Sequence, residues 1–240
     1  MSLSNPHEKG QPNPSTRWFE WQGEQGIIRY YDKETKQTVI VEQPFTFIVL
    51  DELGGIGGWH DASQSGIYSN EVKDTRQDVL IVRAFKGGTL AEGIYRDIKD
   101  RVHSFGGTFN TICYIAFKDK DGELKIGAFR LKGASLASWM EFRKQHRNDF
   151  YSKAVKISGF TEGKKGRIVY RTPSFSTVDI SQDTIKHAVE LDKQLQTYLK
   201  GYLSRNKSEQ IDITSTSKTI APIDEMEYVA PAQIPDEIPF

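Results

Sequence analysis

The fold is decided by residues 109–131, which read FNTICYIAFK-DKDG-ELKIGAFRL. On both sides of the central DKDG, β-branched and aromatic residues recur with a period of two. This pattern predicts one strand at 109–118 and another at 123–131. The Asp121-Gly122 step between them is a strong signal for a tight hairpin. An antiparallel pair of strands therefore stands at the centre of the predicted sheet.

The same signals continue outward from this pair. They predict further strands at 39–50, 66–72, 79–86, 151–160 and 167–175. Pro44 is expected at a bulge or a sheet edge, because it cannot donate a ladder hydrogen bond. Residues 162–166 are expected to form a second hairpin turn, with Lys164 and Lys165 at its tip.

One amphipathic helix is predicted at 134–146, between the two hairpins. Leu136, Trp139, Met140 and Arg143 follow one another there at helical spacing. About five antiparallel strands with one helix before the last hairpin is the layout of an OB-like Greek-key barrel. The fold class expected is therefore mainly β with α elements (α+β). Other small β barrels remain open alternatives.

The chain divides into three predicted parts. Residues 1–15 are polar and rich in Pro and Asn, and we expect a flexible arm. Residues 16–205 form the OB-like domain, which ends in a helix at 181–204 with Ser181 as N-cap. The apolar side of this helix is expected to pack on the barrel or on another copy of the chain. Residues 206–240 are expected to be a disordered acidic tail.

Charge is distributed unevenly along a chain that is neutral overall. The tail has two lysines against seven carboxylates, so the rest of the chain carries an excess of five positive charges. A basic body with an acidic tail points to nucleic acid or to interactions made by the tail. The chain has no apolar run of the length a membrane helix needs, no signal-peptide pattern and one cysteine, and we expect a cytoplasmic protein.

The sequence offers little support for catalysis. The five histidines are far apart, and Cys113 lies among apolar neighbours, as a buried structural cysteine does. Residues 54–58, GGIGG, lack the Lys-Ser/Thr of a phosphate-binding loop. We interpret them as a flexible loop beside a groove into which Trp59 reaches. We therefore expect no enzymatic activity, no metal and no cofactor.

Cations and aromatic rings are interleaved along the body. Binding of single strands needs both, because cations neutralise phosphates and rings stack on exposed bases. Rings such as Tyr114 and Phe129 are expected in the core instead. The candidate DNA-binding residues are Trp59, Tyr68, Arg76, Arg83, Lys86, Lys125, Arg130, Lys156, Lys164, Lys165, Arg167, Tyr170 and Arg171.

The tail ends in an apolar cluster that a solvated acidic segment does not need. The last five residues are Asp236, Glu237, Ile238, Pro239 and Phe240. Phe240 offers a ring together with the main-chain carboxylate, a pair of groups that a partner can hold with an apolar pocket and a cation. We therefore expect these five residues to be a protein-docking tip.

This ending resembles the C-terminal tip of bacterial single-stranded DNA-binding proteins (SSB), with Glu237 in place of one Asp. The body resembles the larger single-stranded DNA-binding proteins of bacteriophages, which combine an OB barrel, extra helices and an acidic tail ending in Phe. The resemblance implies sequence-independent binding and protection of single strands in replication, recombination or repair within a bacterial host. It also implies that the tip recruits host or phage proteins of these pathways. A homo-oligomer, an adaptor that engages host repair proteins through the tip, and a strand-annealing recombination protein remain open alternatives.

Overall fold

The computed structural model describes residues 11–148 and 150–213, and in this range the protein is mainly β with three α-helices. The strands are β1 (Arg17–Gln22), β2 (Ile27–Asp32), β3 (Gln37–Val41), β4 (Phe45–His60), β5 (Ser65–Ser69), β6 (Leu80–Ala84), β7 (Gly88–Gly93), β8 (Gly107–Lys118), β9 (Leu124–Lys132), β10 (Ala154–Lys165) and β11 (Ile168–Val178). The helices are α1 (Tyr95–Ser104), α2 (Gly133–Gln145) and α3 (Gln182–Ile213). The α+β class expected from the sequence is confirmed.

All eleven strands belong to one mixed, open sheet. Its main path runs β3-β2-β1-β9-β8-β4-β5-β6-β7, and β10 with β11 branches from the start of β4. The pairing of β1 with β9 is parallel, whereas the other pairings are antiparallel. The expected antiparallel barrel is therefore replaced by a mixed sheet that does not close.

The long strand β4 organises this sheet. One of its edges pairs with β8 over almost its whole length, from Phe47 opposite Phe117 to Gly58 opposite Gly107. The other edge is shared by β10 at its start and β5 at its end. The positions of β10 and β5 are therefore both set by their pairing with this one strand.

The main core lies on the inner face of the curved sheet, beneath α2. Because side chains alternate between faces of a strand, the odd-numbered Cys113, Ile115 and Phe117 of β8 point into it. Trp139 of α2 is fully buried there, between Phe47 and Phe150. Burying each such ring stabilises the fold by about 1.5–3 kcal/mol.

Helix α3 covers part of the opposite, outer face. Its Leu195, Tyr198 and Leu199 pack on Ile112 and Tyr114 of β8. The sequence left open whether this helix packs on its own sheet or on another copy, and it packs on its own sheet. The helix continues to Ile213, beyond the predicted end at 204.

Several other expectations are corrected. Residues 54–58 are not a loop but the middle of β4. The strand predicted at 39–50 is two strands, β3 and β4, separated by a cis peptide bond before Pro44. Strands β1, β2 and β7 and helix α1 were not predicted. In α2 the buried side chains include Phe142, whereas Met140 is half exposed.

The two predicted hairpins are present with small changes. The turn between β8 and β9 is the expected DKDG, with Gly122 at a φ of 82°. In the second hairpin, pairing continues to Lys165 opposite Ile168. The turn is therefore Gly166-Arg167, shorter than predicted. Among the described residues, no helix is long and apolar enough to cross a membrane.

Candidate nucleic-acid interface

A group of aromatic side chains lies on the outer face of the sheet where β4, β5 and β6 meet. Trp59 is opposite Gly66, and Tyr68 is opposite both Gly57 and Arg83. The rings of Tyr68 and Phe85 stack, with centroids 4.6 Å apart and planes 29° apart. Phe85 is 44% exposed although it is a large apolar residue. We call Trp59, Tyr68, Arg83 and Phe85 the ring face.

The strip of β4 beside the ring face has no side chains, because it contains Gly55 and Gly57. Packing requires two other glycines of β4: a Cβ on Gly58 would collide with the Gly106 carbonyl oxygen, and one on Gly54 would come within 2.6 Å of Thr75. At Gly55 an added Cβ would meet only ordinary contacts at 3.6 Å. The fold therefore does not require a glycine at 55. A glycine within a strand can mark a place where another molecule approaches the backbone closely.

Asn110 of β8 borders this glycine strip. It is paired with Gly55, and its side-chain oxygen and nitrogen are among the atoms that added Cβ groups at Gly55 and Gly57 would meet. Asn110 is only 3% exposed. Its Oδ1 has no hydrogen-bond partner within the described part of the chain. A buried amide oxygen without a partner calls for an explanation, such as an ordered water or a bound group.

A second group of candidate residues lies on the hairpin of β10 and β11. From Ser158 to Val169 this hairpin is mostly exposed, and we call this segment the hairpin arm. Lys164, Lys165 and Arg167 are exposed at its end, and the ring of Tyr170 lies over Gly163 on the opposite strand. A Cβ on Gly163 would come within 2.6 Å of that ring, so glycine at 163 lets Tyr170 cover the ribbon.

The two groups lie toward opposite ends of β4. The hairpin arm leaves the sheet where Ile157 pairs with Phe45, whereas Trp59 is fourteen residues further along β4. At about 3.3 Å per residue, this separation is roughly 45 Å of strand contour. A ligand that contacts both groups must be long, and the structure does not bring them into one compact pocket.

Three of the predicted cations on the strands are already paired within the protein. Lys125 bonds to Asp119 at 2.9 Å and to Asp121 at 2.6 Å, and these hydrogen bonds raise the pKa of the lysine. Arg130 faces Glu20 at 3.8 Å and lies over the ring of Trp18. Arg171 pairs with Glu162 at 3.1 Å.

The remaining predicted cations are placed as follows. Arg76 is exposed in the loop 70–79, where it pairs with Asp74 at 3.3 Å. Lys156 is half-buried on β10, opposite Thr46. Lys86 is exposed in the turn that follows β6, next to the ring face. The ring face with Lys86 and the tip of the hairpin arm are therefore the two places where predicted residues cluster.

Helix α3 limits how much of the outer face a ligand can reach. It covers Ile112, Tyr114, Ile126 and Ala128, the central outer positions of β8 and β9. Beyond this cover lie Asn110 and the glycine strip. At that end of the sheet Asn110 and Gly55 are buried, and exposure increases through the half-buried Gly57 toward the ring face.

A buried carboxyl group lies where α3 meets the sheet. Glu71 Oε2 accepts a hydrogen bond from the Tyr114 hydroxyl at 2.8 Å, and the Glu71 backbone N–H donates to the Tyr202 hydroxyl, also at 2.8 Å. Burial of the carboxyl raises its pKa to about 7, against the opposing effects of the Tyr114 hydrogen bond and the charge of Arg130. Tyr114 is also close to Asn13, which precedes β1.

The inner face carries a polar group of its own beside Cys113. Glu52 accepts hydrogen bonds from the indole of Trp139 at 2.6 Å and from the Cys113 thiol at 3.6 Å, and it pairs with Arg143 at 2.8 Å. Burial, followed by the charge of Glu52, raises the pKa of Cys113 well above its ordinary value. A thiol held protonated is a poor nucleophile. Because Trp139 and Arg143 belong to α2, their bonds to Glu52 orient this helix on the sheet.

Sequence reasoning missed part of the site. Phe85 was counted among the aromatic residues but not among the site residues. Its exposure at the end of β6, which only the structure shows, makes it a candidate for stacking on a base. Residues 54–58 were interpreted as a loop beside a groove, whereas Asn110 carried no signal, because only the register of β4 and β8 places it beside Gly55 and Gly57. Among the described residues, no group of His, Cys, Asp or Glu could hold a metal ion. The docking tip, Asp236 to Phe240, lies outside the described residues.

Comparison with known proteins gives no functional assignment. No protein-family model, no curated protein and no solved structure matches the chain.

Proposed function

We propose that this protein binds single-stranded DNA without sequence preference and protects it, and that its C-terminal tip recruits proteins of replication, recombination or repair. The observation that carries the proposal is the exposed ring of Phe85 stacked on the half-buried ring of Tyr68, beside Arg83 and Lys86. Exposed rings cost solubility and do nothing for a core. Stacked beneath a nucleic-acid base, each is worth about 1–3 kcal/mol.

The order of elements supports an OB-like origin of the sheet. With β5, β6, β7 and α1 counted as one long connection after β4, the order is β4, β8, β9, α2, β10 and β11, and β4 pairs with both β8 and β10. The sheet comes close to closing on the other side, because the Arg171 backbone N–H donates to the Gly23 carbonyl at 2.8 Å. The hairpin of β1 and β2 would then be an insertion that widens a five-stranded, partly open barrel.

The positions of the two residue clusters agree with this scheme. OB folds bind oligonucleotides with the face of their second and third strands and with the loops between strands one and two and between strands four and five. In this scheme β5, β6 and β7 lie in the first of these connections, and the tip of the hairpin arm is the second. Since α3 covers much of the face of β8 and β9, the two connections would contribute most of the contacts.

Electrostatics support a backbone-directed mode of binding. Lys164, Lys165 and Arg167 are exposed, and none forms an ion pair with a described residue. Three unpaired cations at the end of a ribbon have no role in folding and suit contacts with phosphates, which release counterions and weaken with salt. The body thus offers rings for bases at one end of β4 and charges for phosphates at the other.

The proposal is tested by fluorescence anisotropy with one labelled oligonucleotide, used as a single strand and as a duplex at two salt concentrations. We expect tight binding of the single strand, weaker binding of the duplex, and a loss of affinity as salt rises. Equal affinity for duplex, or no binding, would overturn the proposal. Acceleration of annealing between complementary strands would favour the strand-annealing alternative. Capture of repair proteins without DNA binding would favour the adaptor.

A further inference from the structure

Strand β3 is an unprotected edge of the sheet. It pairs with β2 on one side, and no described residue makes a backbone hydrogen bond to its other side. Its sequence, Gln37–Val41, contains no charge and no proline, and Ile40 is 61% exposed. Such an edge presents unpaired N–H and C=O groups and is a template for another strand.

The other free edges of the sheet are protected. On β11, Pro173 has no N–H, its carbonyl accepts a hydrogen bond from Ser138 of α2, and the Arg171 N–H is taken by Gly23. On β7, the register shifts between Thr89 and Ala91, Glu92 adds a charge, and α1 follows directly and packs in the apolar cluster that contains Leu90 and Ala91. Charges, prolines, irregular pairing and covering helices are the devices that keep edges from pairing. Their absence from β3 alone sets this edge apart.

We propose that two copies of this chain pair through their β3 strands, antiparallel about a two-fold axis at Val39. A two-fold interface is self-complementary, so each contact between two different residues occurs twice, once from each copy. In this register Gln37 lies opposite Val41 of the second copy, and Thr38 lies opposite Ile40. The uncharged strand therefore meets no like charge within the pairing.

The charges that flank β3 select this register. Lys36 precedes the strand and Glu42 follows it, both are exposed, and neither has an ion-pair partner among the described residues. Lys36 lies in the turn before β3 with a left-handed backbone (φ 54°), so pairing about Val39 brings its side chain near Glu42 of the other copy without extending the strand ladder to it. Two ion pairs then close the ends of the ribbon. Opposite charges across strands stabilise pairing and like charges destabilise it.

The experiment measures mass by light scattering over a range of concentrations, using the full-length chain. We expect a concentration-dependent shift from 27.3 kDa to twice that mass. Glu42→Lys alone and Lys36→Glu alone should each weaken the dimer about tenfold or more, because each change turns both ion pairs into repulsions. The double variant Lys36→Glu with Glu42→Lys should restore the wild-type dimer. Glu123→Lys, an exposed charge reversal in the β8–β9 turn, serves as the control and should leave the mass curve unchanged.

Each outcome decides the proposal. A wild-type chain that stays at 27.3 kDa at all concentrations overturns it. A dimer that neither single reversal weakens forms through another surface. Weakening without rescue in the double variant overturns the register about Val39. Since all three positions are exposed, the unfolding curves of the variants and the wild type should coincide at concentrations where the wild type is monomeric.

Discussion

Replacing Glu71 by glutamine should stabilise the protein above neutral pH and leave it unchanged in acid. The carboxyl has a pKa of about 7 in the folded chain against an ordinary value of 4.5. The folded state therefore holds a proton that the unfolded state releases, so stability is lost as pH rises from about 4.5 to about 7. At about 1.4 kcal/mol per pH unit, this difference gives a penalty of at most about 3 kcal/mol above pH 7. A glutamine side chain at this position cannot ionise, and its amide oxygen can still accept the Tyr114 hydrogen bond.

The assay is urea unfolding of both proteins at about pH 4.5, 6 and 8. The difference in unfolding free energy should grow from near zero at the lowest pH to as much as about 3 kcal/mol at the highest. Glu34→Gln, an exposed carboxyl in the turn before β3, is the matched control and should show no such trend. A Glu71→Gln variant that is less stable at high pH, or a difference that stays constant with pH, would refute the reasoning.

Three further predictions concern binding. Lys164→Glu with Lys165→Glu should weaken single-strand binding, and the slope of log affinity against log salt concentration should flatten by about 0.7 for each lost phosphate contact. Anisotropy measures both, and Lys186→Glu with Lys193→Glu is the control of equal charge change. Phe85→Ala should lower affinity by about 1–3 kcal/mol, whereas Tyr151→Ala, which removes a ring that is 61% exposed outside the ring face, should not. Deletion of Phe240 should weaken partner capture at least about a hundredfold while the fold and DNA binding persist, because a buried ring and a paired carboxylate are each worth about 1.5–3 kcal/mol. Equal capture of repair and replication proteins by the deleted and full-length chains would show that the tip is not the docking element.

The local parts of the fold could be predicted from the sequence. The central hairpin follows from alternation and the DKDG turn, and α2 follows from the helical spacing of Leu136 and Trp139. The spacing of the last helix predicts an apolar side of Ile185, Val189, Leu195, Tyr198, Leu199 and Tyr202. Leu195, Tyr198 and Leu199 are buried, whereas Val189 is 46% exposed. These elements depend on residues close together in the chain, where period and turn chemistry act directly.

The remaining parts depend on contacts between distant residues. Strand β1 pairs in parallel with β9, more than a hundred residues away, and nothing near Phe19 specifies that partner. Residues 54–58 resemble a loop because glycine disfavours strands, yet Gly58 is required in β4 by the approach of the Gly106 carbonyl. The alternation of 17–22 and 27–32 on either side of a glycine turn is a local signal from which β1 and β2 could have been predicted.

The candidate site was predictable by residue type but not by arrangement. The sequence identified Trp59, Tyr68 and Arg83 from composition, and the register of β5 with β6 places Tyr68 beside Arg83 and Phe85. It also identified Lys125 and Arg171, which the structure pairs with carboxylates. Whether a cation is unpaired depends on tertiary neighbours, and one sequence does not contain that information.

The central claim is tested most directly by ultraviolet cross-linking of a single-stranded oligonucleotide, followed by mass spectrometry of the cross-linked peptides. Zero-length cross-links form where a base stacks on a ring, so we expect them at Trp59, Tyr68 or Phe85, and at Tyr170 on the β10–β11 hairpin. An excess of unlabelled single strand should abolish them, and an equal amount of duplex should not. Cross-links confined to other rings, such as Tyr31 or Tyr151, or competition by duplex as effective as by single strand, would contradict the account.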